Sequence, residues 1–214
     1  MNEKNLGFYT NLGVEPLQKL AEIGGFASYT DMELVYDKIK NSRVIMEIGA
    51  GYGRCVDFLL MQKFAGKIIA IEQSPTLTDY LKQRYSNNSQ VELVEGDFKN
   101  LQLKEKADAA LWMWSGIIDF DREEQKNCLR KIHGLLSEHG IVIVDIPRLG
   151  FKTYATHTDE QRLHLDSAYG TLDCYIPSLK DMEEYCNEVG YAKCYSIDYK
   201  TNSDKERTIY FLEK

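Results

Sequence analysis

The sequence predicts an α/β protein built in three layers. A mostly parallel seven-stranded sheet carries helices on both faces, and a C-terminal hairpin supplies one antiparallel strand. Three observations predict it. From Arg43 onward, short apolar runs alternate with amphipathic stretches, the rhythm of a parallel sheet with right-handed crossovers. The run "KIIAIE" lacks polar alternation, as a strand covered on both faces does. The last two strand-like runs, "AKCYSIDYK" and "ERTIYFLEK", are joined by the polar turn "TNSD", which makes them a hairpin.

Each element can be justified in turn. "RVIMEI" is a first strand, followed by a glycine-rich loop. "RCVDFLLMQKF" then spaces Cys55, Val56, Leu59, Leu60 and Phe64 as one face of a helix, with Gly66 as its stop. "KIIAIE" is a second strand. Ser74 and Pro75 open the next helix as N-cap and first helical residue, with Leu77, Tyr80, Leu81 and Arg84 along one side. "VELVEGD" and "ADAALWMW" are the third and fourth strands. Asp121 and Glu124 have capping-box spacing before a helix striped by Leu129, Ile132, Leu135 and Leu136, which is expected to stop at Gly140. "IVIVDIP" is the fifth strand. Ser178 and Asp181 repeat the capping spacing before a helix closed by Gly190. The chain thus reads as one domain: a leading segment 1–42, a core 43–147, an insertion 148–177, and a closing helix and hairpin 178–214. The insertion has no clear period, which in a compact domain marks a lid or binding loop.

Composition narrows the function. The 214 residues carry 43% hydrophobic and 28% charged residues, as expected for a globular protein. No apolar run approaches the roughly 20 residues that span a bilayer, and the first residues lack a secretion signal, so a cytoplasmic setting without membrane contact is expected. A formal net charge of -7 with no basic cluster argues against a nucleic-acid partner. The five cysteines, Cys55, Cys128, Cys174, Cys186 and Cys194, are scattered without a CxxC pair and read as small buried hydrophobes.

The chemistry concentrates in "VIMEIGAGYGR", residues 44–54. Gly49, Gly51 and Gly53 permit tight turns and close approach of a ligand to the main chain. Ligands of open α/β sheets bind outside the carboxyl ends of the strands, where this loop lies. Glu72 ends the second strand, 25 residues after Glu47. A carboxylate accepts two hydrogen bonds side by side, matching the paired hydroxyls of a ribose, so a nucleoside-containing cofactor is expected. The loop reads G-x-G-x-G, not the G-x-G-x-x-G of nicotinamide sites, and no Lys-Ser or Lys-Thr follows as in a P-loop. Glu47 is poorly placed beside a pyrophosphate and suits a positively charged amino end.

With these residues in view, the chain resembles the class I S-adenosylmethionine-dependent methyltransferases, which have a Rossmann-like fold. "EIGAGYGR" is similar to their first motif, "IIAIEQS" to the second, and "VEGDF" to the acid-bearing segment after strand three. The resemblance covers roughly residues 43–147, with the closing helix and hairpin also in place. It implies that Glu47 and the backbone of Gly49, Ala50, Gly51 and Gly53 hold the methionine end of the cofactor. It assigns the ribose hydroxyls to Glu72 and the adenine amino group to Asp97, with Phe98 beside the ring. Gln73 and Met113 become walls of the adenine and sulfonium pocket.

The implied activity is methyl transfer to nitrogen or oxygen of a small polar acceptor. The cofactor carries the reactive group and the protein supplies alignment. No acid set for a metal-dependent catechol-type site is found, so transfer without metal is expected, and no catalytic residue is singled out. The Asp/Asn-Pro-Pro-aromatic motif of amino-methylating DNA enzymes is absent.

Candidate acceptor residues remain open between two readings. Trp112 and Trp114, expected on one face of strand four, wall the pocket or pack in the core. Ser115 offers a hydroxyl or begins the loop. Arg148 pairs an acceptor carboxylate or is a surface residue. Phe8, Tyr9 and Tyr29 close over the site or staple the leading segment to the core. The insertion contributes Tyr154, His157, His164, Tyr169 and Tyr175; His157 or His164 is a general base for a hydroxyl acceptor, or a solvated loop residue. The rival functions are a nicotinamide oxidoreductase and a non-catalytic S-adenosylmethionine-binding regulator.

Overall fold

The structure is a computed structural model describing residues 1–151 and 155–214. Tyr154 therefore lies outside the described residues. Three helices precede the sheet: α1 (Glu3–Leu12), α2 (Val14–Gly24) and α3 (Thr30–Ile39). The core then alternates β1 (Val44–Ile48), α4 (Arg54–Met61), β2 (Lys67–Glu72), α5 (Pro75–Tyr85), β3 (Val91–Glu95) and β4 (Ala107–Trp112). A short 3-10 turn at Gly116–Asp119 leads to α6 (Arg122–Leu135) and β5 (Leu136–Pro147). The insertion holds β6 (Thr156–His157), β7 (Arg162–Ser167) and β8 (Gly170–Tyr175). The chain closes with α7 (Leu179–Val189), β9 (Lys193–Lys200) and β10 (Glu206–Glu213).

The seven-stranded sheet has the order β3-β2-β1-β4-β5-β10-β9. Strands β1 to β5 are parallel, and β10 runs antiparallel to both β5 and β9. Neighbouring side chains alternate between its faces. Ile45 thus joins the core formed with α3 and α4, through Val35, Ile39, Val56 and Leu59. Met46 joins the opposite core with Leu129 of α6 and Tyr185 of α7. Chain order reverses between β1 and β4, and the crevice at their carboxyl ends is where such sheets bind ligands.

Both predicted capping boxes form. Glu124 N–H donates to Asp121 Oδ1 at 2.8 Å while Asp121 N–H returns to Glu124 Oε2 at 3.3 Å. Ser178 and Asp181 make the same exchange at 3.1 and 2.9 Å. Ser74 caps α5 by position, without a side-chain bond to the helix N-terminus.

Several boundaries differ from expectation, each for a tertiary reason. α4 stops at Met61, not Gly66. Lys63 takes a left-handed φ of 55°, and the N–H groups of Phe64 and Lys63 bond Leu59 O and Leu60 O, the Schellman pattern without glycine. Gly66 serves close packing instead, since a Cβ there would lie 2.6 Å from the Ser42 and Arg43 carbonyls. α6 ends at Leu135, where Lys106 donates to Gly134 O and Lys214 donates to His133 O and Leu136 O. Gly140 lies within β5. The buried side of α5 is Leu77, Thr78, Leu81 and Tyr85; Arg84 is exposed and pairs with Asp57. β4 ends at Trp112, so Trp114 does not share its face; Trp114 and Ser115 turn the chain with φ of 45° and 69°. The insertion is a three-stranded antiparallel sheet rather than a structureless loop.

Candidate active site

A cavity of about 290 Å³ opens at the carboxyl ends of β1, β2 and β4. Its floor is Glu47 and the Gly49–Ala50–Gly51 turn, with Glu72 and Gln73 at one side and Met113 at another. Phe98, Trp112 and Phe120 form an apolar wall. The roof comes from distant parts of the chain: Phe8, Tyr9 and Leu12 of α1, Leu17 and Leu20 of α2, Leu165 of β7 and Leu172 of β8.

The glycines of the loop have different tasks. All three have positive φ: 71° at Gly49, 60° at Gly51 and 87° at Gly53. A Cβ on Gly49 would meet no protein atom within 4 Å. A Cβ on Gly53 would collide with the Tyr85 hydroxyl of α5. Gly53 therefore lets α4 and α5 approach, while Gly49 keeps the cavity floor bare. The N–H groups of Gly49 and Ala50 both bond Ile71 O at 2.9 Å, and that of Gly51 bonds Glu72 Oε2 at 2.7 Å. These donors are committed within the protein, unlike those of a loop that cradles phosphate.

Glu72 is 4% exposed. Its Oε1 also accepts from the Gln73 and Ser74 N–H groups, each at 2.8 Å. Burial raises its pKa, and the three backbone donors hold the rise back. The two oxygens retain lone pairs for further donors. Glu47 differs. Its Oε2 is buried and has no hydrogen-bond partner among the described residues. Burial pushes its pKa up to about 8 against the lowering effects of the Cys55 thiol and the Arg54 charge. A buried acceptor left orphaned beside a cavity is costly unless a ligand supplies the donor. An ammonium group fits that requirement.

The structure separates the remaining candidates. Gly96 and Phe98 line the cavity, but Asp97 between them does not. Its carboxylate accepts from the Lys99 N–H at 3.1 Å and faces the Met1 ammonium at 3.6 Å. Tyr9, Trp114 and Ser115 line the cavity. Trp114 packs on Phe26 with ring centres 5.0 Å apart, and Ser115 Oγ accepts from Arg207 Nη2 at 2.7 Å. Arg148 lies outside, half exposed, near Asp198 and Glu206 at 3.9 and 3.7 Å. Tyr169 is outside as well, an exposed ring against Phe8 at 6.3 Å. Neither candidate base reaches the cavity. His157 is exposed beside Phe151 O at 3.2 Å. His164 lies between Asp173 and Asp166, whose hydrogen bonds raise its pKa, on the outer surface of the small sheet. Tyr29 staples α3 to α4 by packing on Phe58 at 5.6 Å, whereas Phe8 is part of the roof.

Sequence reasoning missed two features. Asp119, on the 3-10 turn after β4, is 5% exposed and lines the cavity. Burial pushes its pKa up to about 7. Its signal was an acid set among apolar neighbours, "GIIDF", just past a strand end. The second is a pair of buried ion pairs behind the site. Arg54 binds Asp31 through two N–H groups at 2.8 and 2.5 Å, and Arg207 binds Asp145 at 2.7 Å. Phe26 lies between the two guanidinium groups, 5.4 and 4.8 Å from their centres, and supports Trp114. No local pattern marks pairs separated by 23 and 62 residues.

Comparison with known proteins agrees with this frame. The methyltransferase domain family matches residues 45–140. A probable ribosomal RNA small subunit methyltransferase A of Methanococcoides burtonii is 38% identical over 66 residues, 31% of this chain. The match spans 24% of that relative, so the chain covers about a quarter of its length. An ornithine lipid N-methyltransferase of Singulisphaera acidiphila is 26% identical over 129 residues, 56% of this chain and 67% of that one. The S-adenosylmethionine-bound amino pentose methyltransferase CalS10 of Micromonospora echinaspora superposes with a TM-score of 0.64 at 12% identity. That superposition covers 92% of this chain and 96% of the other. Residues 45–140 thus form a methyltransferase domain, and with the motifs of β1 and β2 and this strand order the chain has the fold of the class I S-adenosylmethionine-dependent methyltransferases.

Proposed function

We propose that this protein transfers the methyl group of S-adenosylmethionine to nitrogen or oxygen of a small polar molecule, by in-line displacement and without a metal ion. The observation that carries this reading is the roofed cavity with an orphaned carboxylate, Glu47, at its floor. When bound, the cofactor supplies a methyl group already activated by its sulfonium. Glu47 accepts from the methionine ammonium and is held charged by it. Glu72 uses its spare lone pairs for the ribose hydroxyls. Phe98 flanks the adenine, and Gln73 and Met113 complete the pocket. The bare backbone at Gly49 lets the cofactor lie on the loop. The roof of α1, α2 and the small sheet excludes water and fixes the direction from which an acceptor approaches. Holding acceptor and methyl in line contributes about 7–11 kcal/mol in well-aligned systems.

A small acceptor is favoured by the roof and by the net charge of -7, which repels a phosphate backbone. Among the described residues no group of three or more His, Cys, Asp or Glu side chains could hold a metal ion. None of the described helices is long and apolar enough to cross a membrane. Titration calorimetry with S-adenosylmethionine tests the cofactor reading: wild type binds, and Glu72→Ala weakens binding by at least about a hundredfold, the loss of two charge-assisted hydrogen bonds. Undiminished binding by the variant refutes the assignment. Release of S-adenosylhomocysteine with small amines or hydroxy compounds, and not with a ribosomal RNA fragment, tests the acceptor class.

A further inference from the structure

The polar groups of the cavity are unbalanced in charge. Three buried carboxylates line it: Glu47, Glu72 and Asp119. Of the cations among the described lining residues, Arg54 is already bound to Asp31 through both terminal nitrogens, and the Met1 ammonium lies 3.6 Å from Asp97. Glu72 is satisfied by three backbone N–H groups, and Glu47 matches the cofactor's ammonium. Asp119 has neither kind of partner. Its contacts are long and neutral: Asn5 Nδ2 at 3.4 Å, the Tyr9 hydroxyl at 3.4 Å and Cys174 Sγ at 3.9 Å. Asn5 Nδ2 makes its better bond elsewhere, to Asp173 O at 2.8 Å. No ion pair to Asp119 within 4.0 Å occurs among the described residues. Aromatic rings share the cavity wall with it: Tyr9, which donates to it, Phe120, next in the chain, and Trp112, whose ring lies 5.4 Å from that of Phe120.

We propose that Asp119 is the acceptor-binding and proton-accepting carboxylate, and that the acceptor is a primary or secondary amine that arrives as an ammonium ion. This rests on the methyltransferase reading above. Aromatic rings in the wall suit a cation, and Tyr9 and Asn5 both donate to Oδ1 of the carboxylate. Asp119 accepts one N–H proton, leaving a nitrogen lone pair. That lone pair attacks the methyl carbon, the C–S bond breaks, and its electrons remain on sulfur. The products are a methylated ammonium, S-adenosylhomocysteine and protonated Asp119, which returns its proton to water.

The protonation state of Asp119 supports this role. Burial dominates its rise to about 7; the Glu72 charge adds to it, while the Tyr9 and Asn5 hydrogen bonds and the Met1 ammonium oppose it. A carboxylate near 7 is a better proton acceptor at neutral pH than an ordinary one. Tyr9 is itself held protonated by burial and by Asp119, so its hydroxyl remains a donor to the carboxylate.

Calorimetry on the intact chain saturated with S-adenosylhomocysteine tests the inference without knowledge of the natural acceptor. The probes are matched pairs, benzylamine with benzyl alcohol and cyclohexylamine with cyclohexanol. The expected result is amine binding at least tenfold tighter than alcohol binding at pH 8. The preference should be lost in Asp119→Asn, kept in Asp119→Glu, and lost in wild type as pH falls through about 7 while the amines stay protonated. Asp119→Asn should bind S-adenosylhomocysteine as wild type does. Amines binding no tighter than alcohols, with no binding at all counted among such results, overturns the inference, as does a preference that survives Asp119→Asn. Failure of wild type to bind S-adenosylhomocysteine in the first titration would instead refute the cofactor reading on which the inference stands.

Discussion

Adding one methyl group at Gly53 should cost stability, whereas the same addition at Gly49 should cost cofactor. Gly53 has φ of 87°, and a Cβ there would strike the Tyr85 hydroxyl and lie 3.0 Å from both Leu81 Cδ2 and Tyr85 Cε2. A left-handed backbone costs an L-residue about 1–2 kcal/mol. Overpacking a filled interface costs about 1–3 kcal/mol more. Gly53→Ala is therefore expected to lose about 2–5 kcal/mol, which at about 2–4 °C per kcal/mol for a chain of this size is a fall in Tm of about 4–20 °C. Gly49→Ala at φ 71° meets no protein atom within 4 Å, so only the backbone strain applies to the free protein. Its new methyl points into the floor of the cavity and should weaken S-adenosylmethionine binding instead. Urea unfolding of both variants, with cofactor titrations, separates the two effects. Tyr85→Phe removes the struck hydroxyl, so Gly53→Ala and Tyr85→Phe should couple favourably by about 0.5–3 kcal/mol in a double-mutant cycle. Equal destabilisation by the two alanines, or no coupling, refutes the division of labour between the glycines.

Other consequences are as specific. Glu47 and Asp119 have folded pKa values raised to about 8 and about 7 by burial, so between pH 5 and 8 the folded state holds protons that the unfolded state has lost. Their contribution is therefore a loss of stability as pH rises through that window, and melting curves of Glu47→Gln should show a smaller loss than wild type. Arg207→Met leaves Asp145 buried beside Tyr199 alone, and should destabilise by about 3–5 kcal/mol in denaturant titrations. Replacing Arg207 and Asp145 together by apolar residues should recover most of that loss. Ser178→Ala removes one half of the α7 capping box and should cost about 0.5–2 kcal/mol by the same measurement.

What was legible in the sequence followed from local chemistry. The strands β1, β2 and β4, the caps at Asp121 and Ser178, and the stop at Gly190 depend on neighbours within one turn or one strand. The cavity floor could be read too, because the loop, Glu47 and Glu72 are fixed by adjacent strand ends. Features set by distant partners could not. α6 ends where Lys106 and Lys214 reach its last carbonyls, so Gly140 gave a false stop. Trp114 leaves the strand because the turn that follows is held by Asp145 and Arg207. Asp119 gains its significance only from the depth at which α1 and β8 bury it. The histidines of the insertion drew attention by residue type, but their strands turn them toward solvent.

Asn5 has a consequence outside the chemistry of the cavity. Its amide gives and takes hydrogen bonds with the backbone of Asp173, at 2.8 and 2.9 Å, as a neighbouring strand would. β8 is the outer strand of the small sheet, and bare outer strands invite pairing between molecules. A single side chain from the far end of the sequence thus blunts that rim, so the segment that covers the pocket is also guarded against stitching itself to another copy.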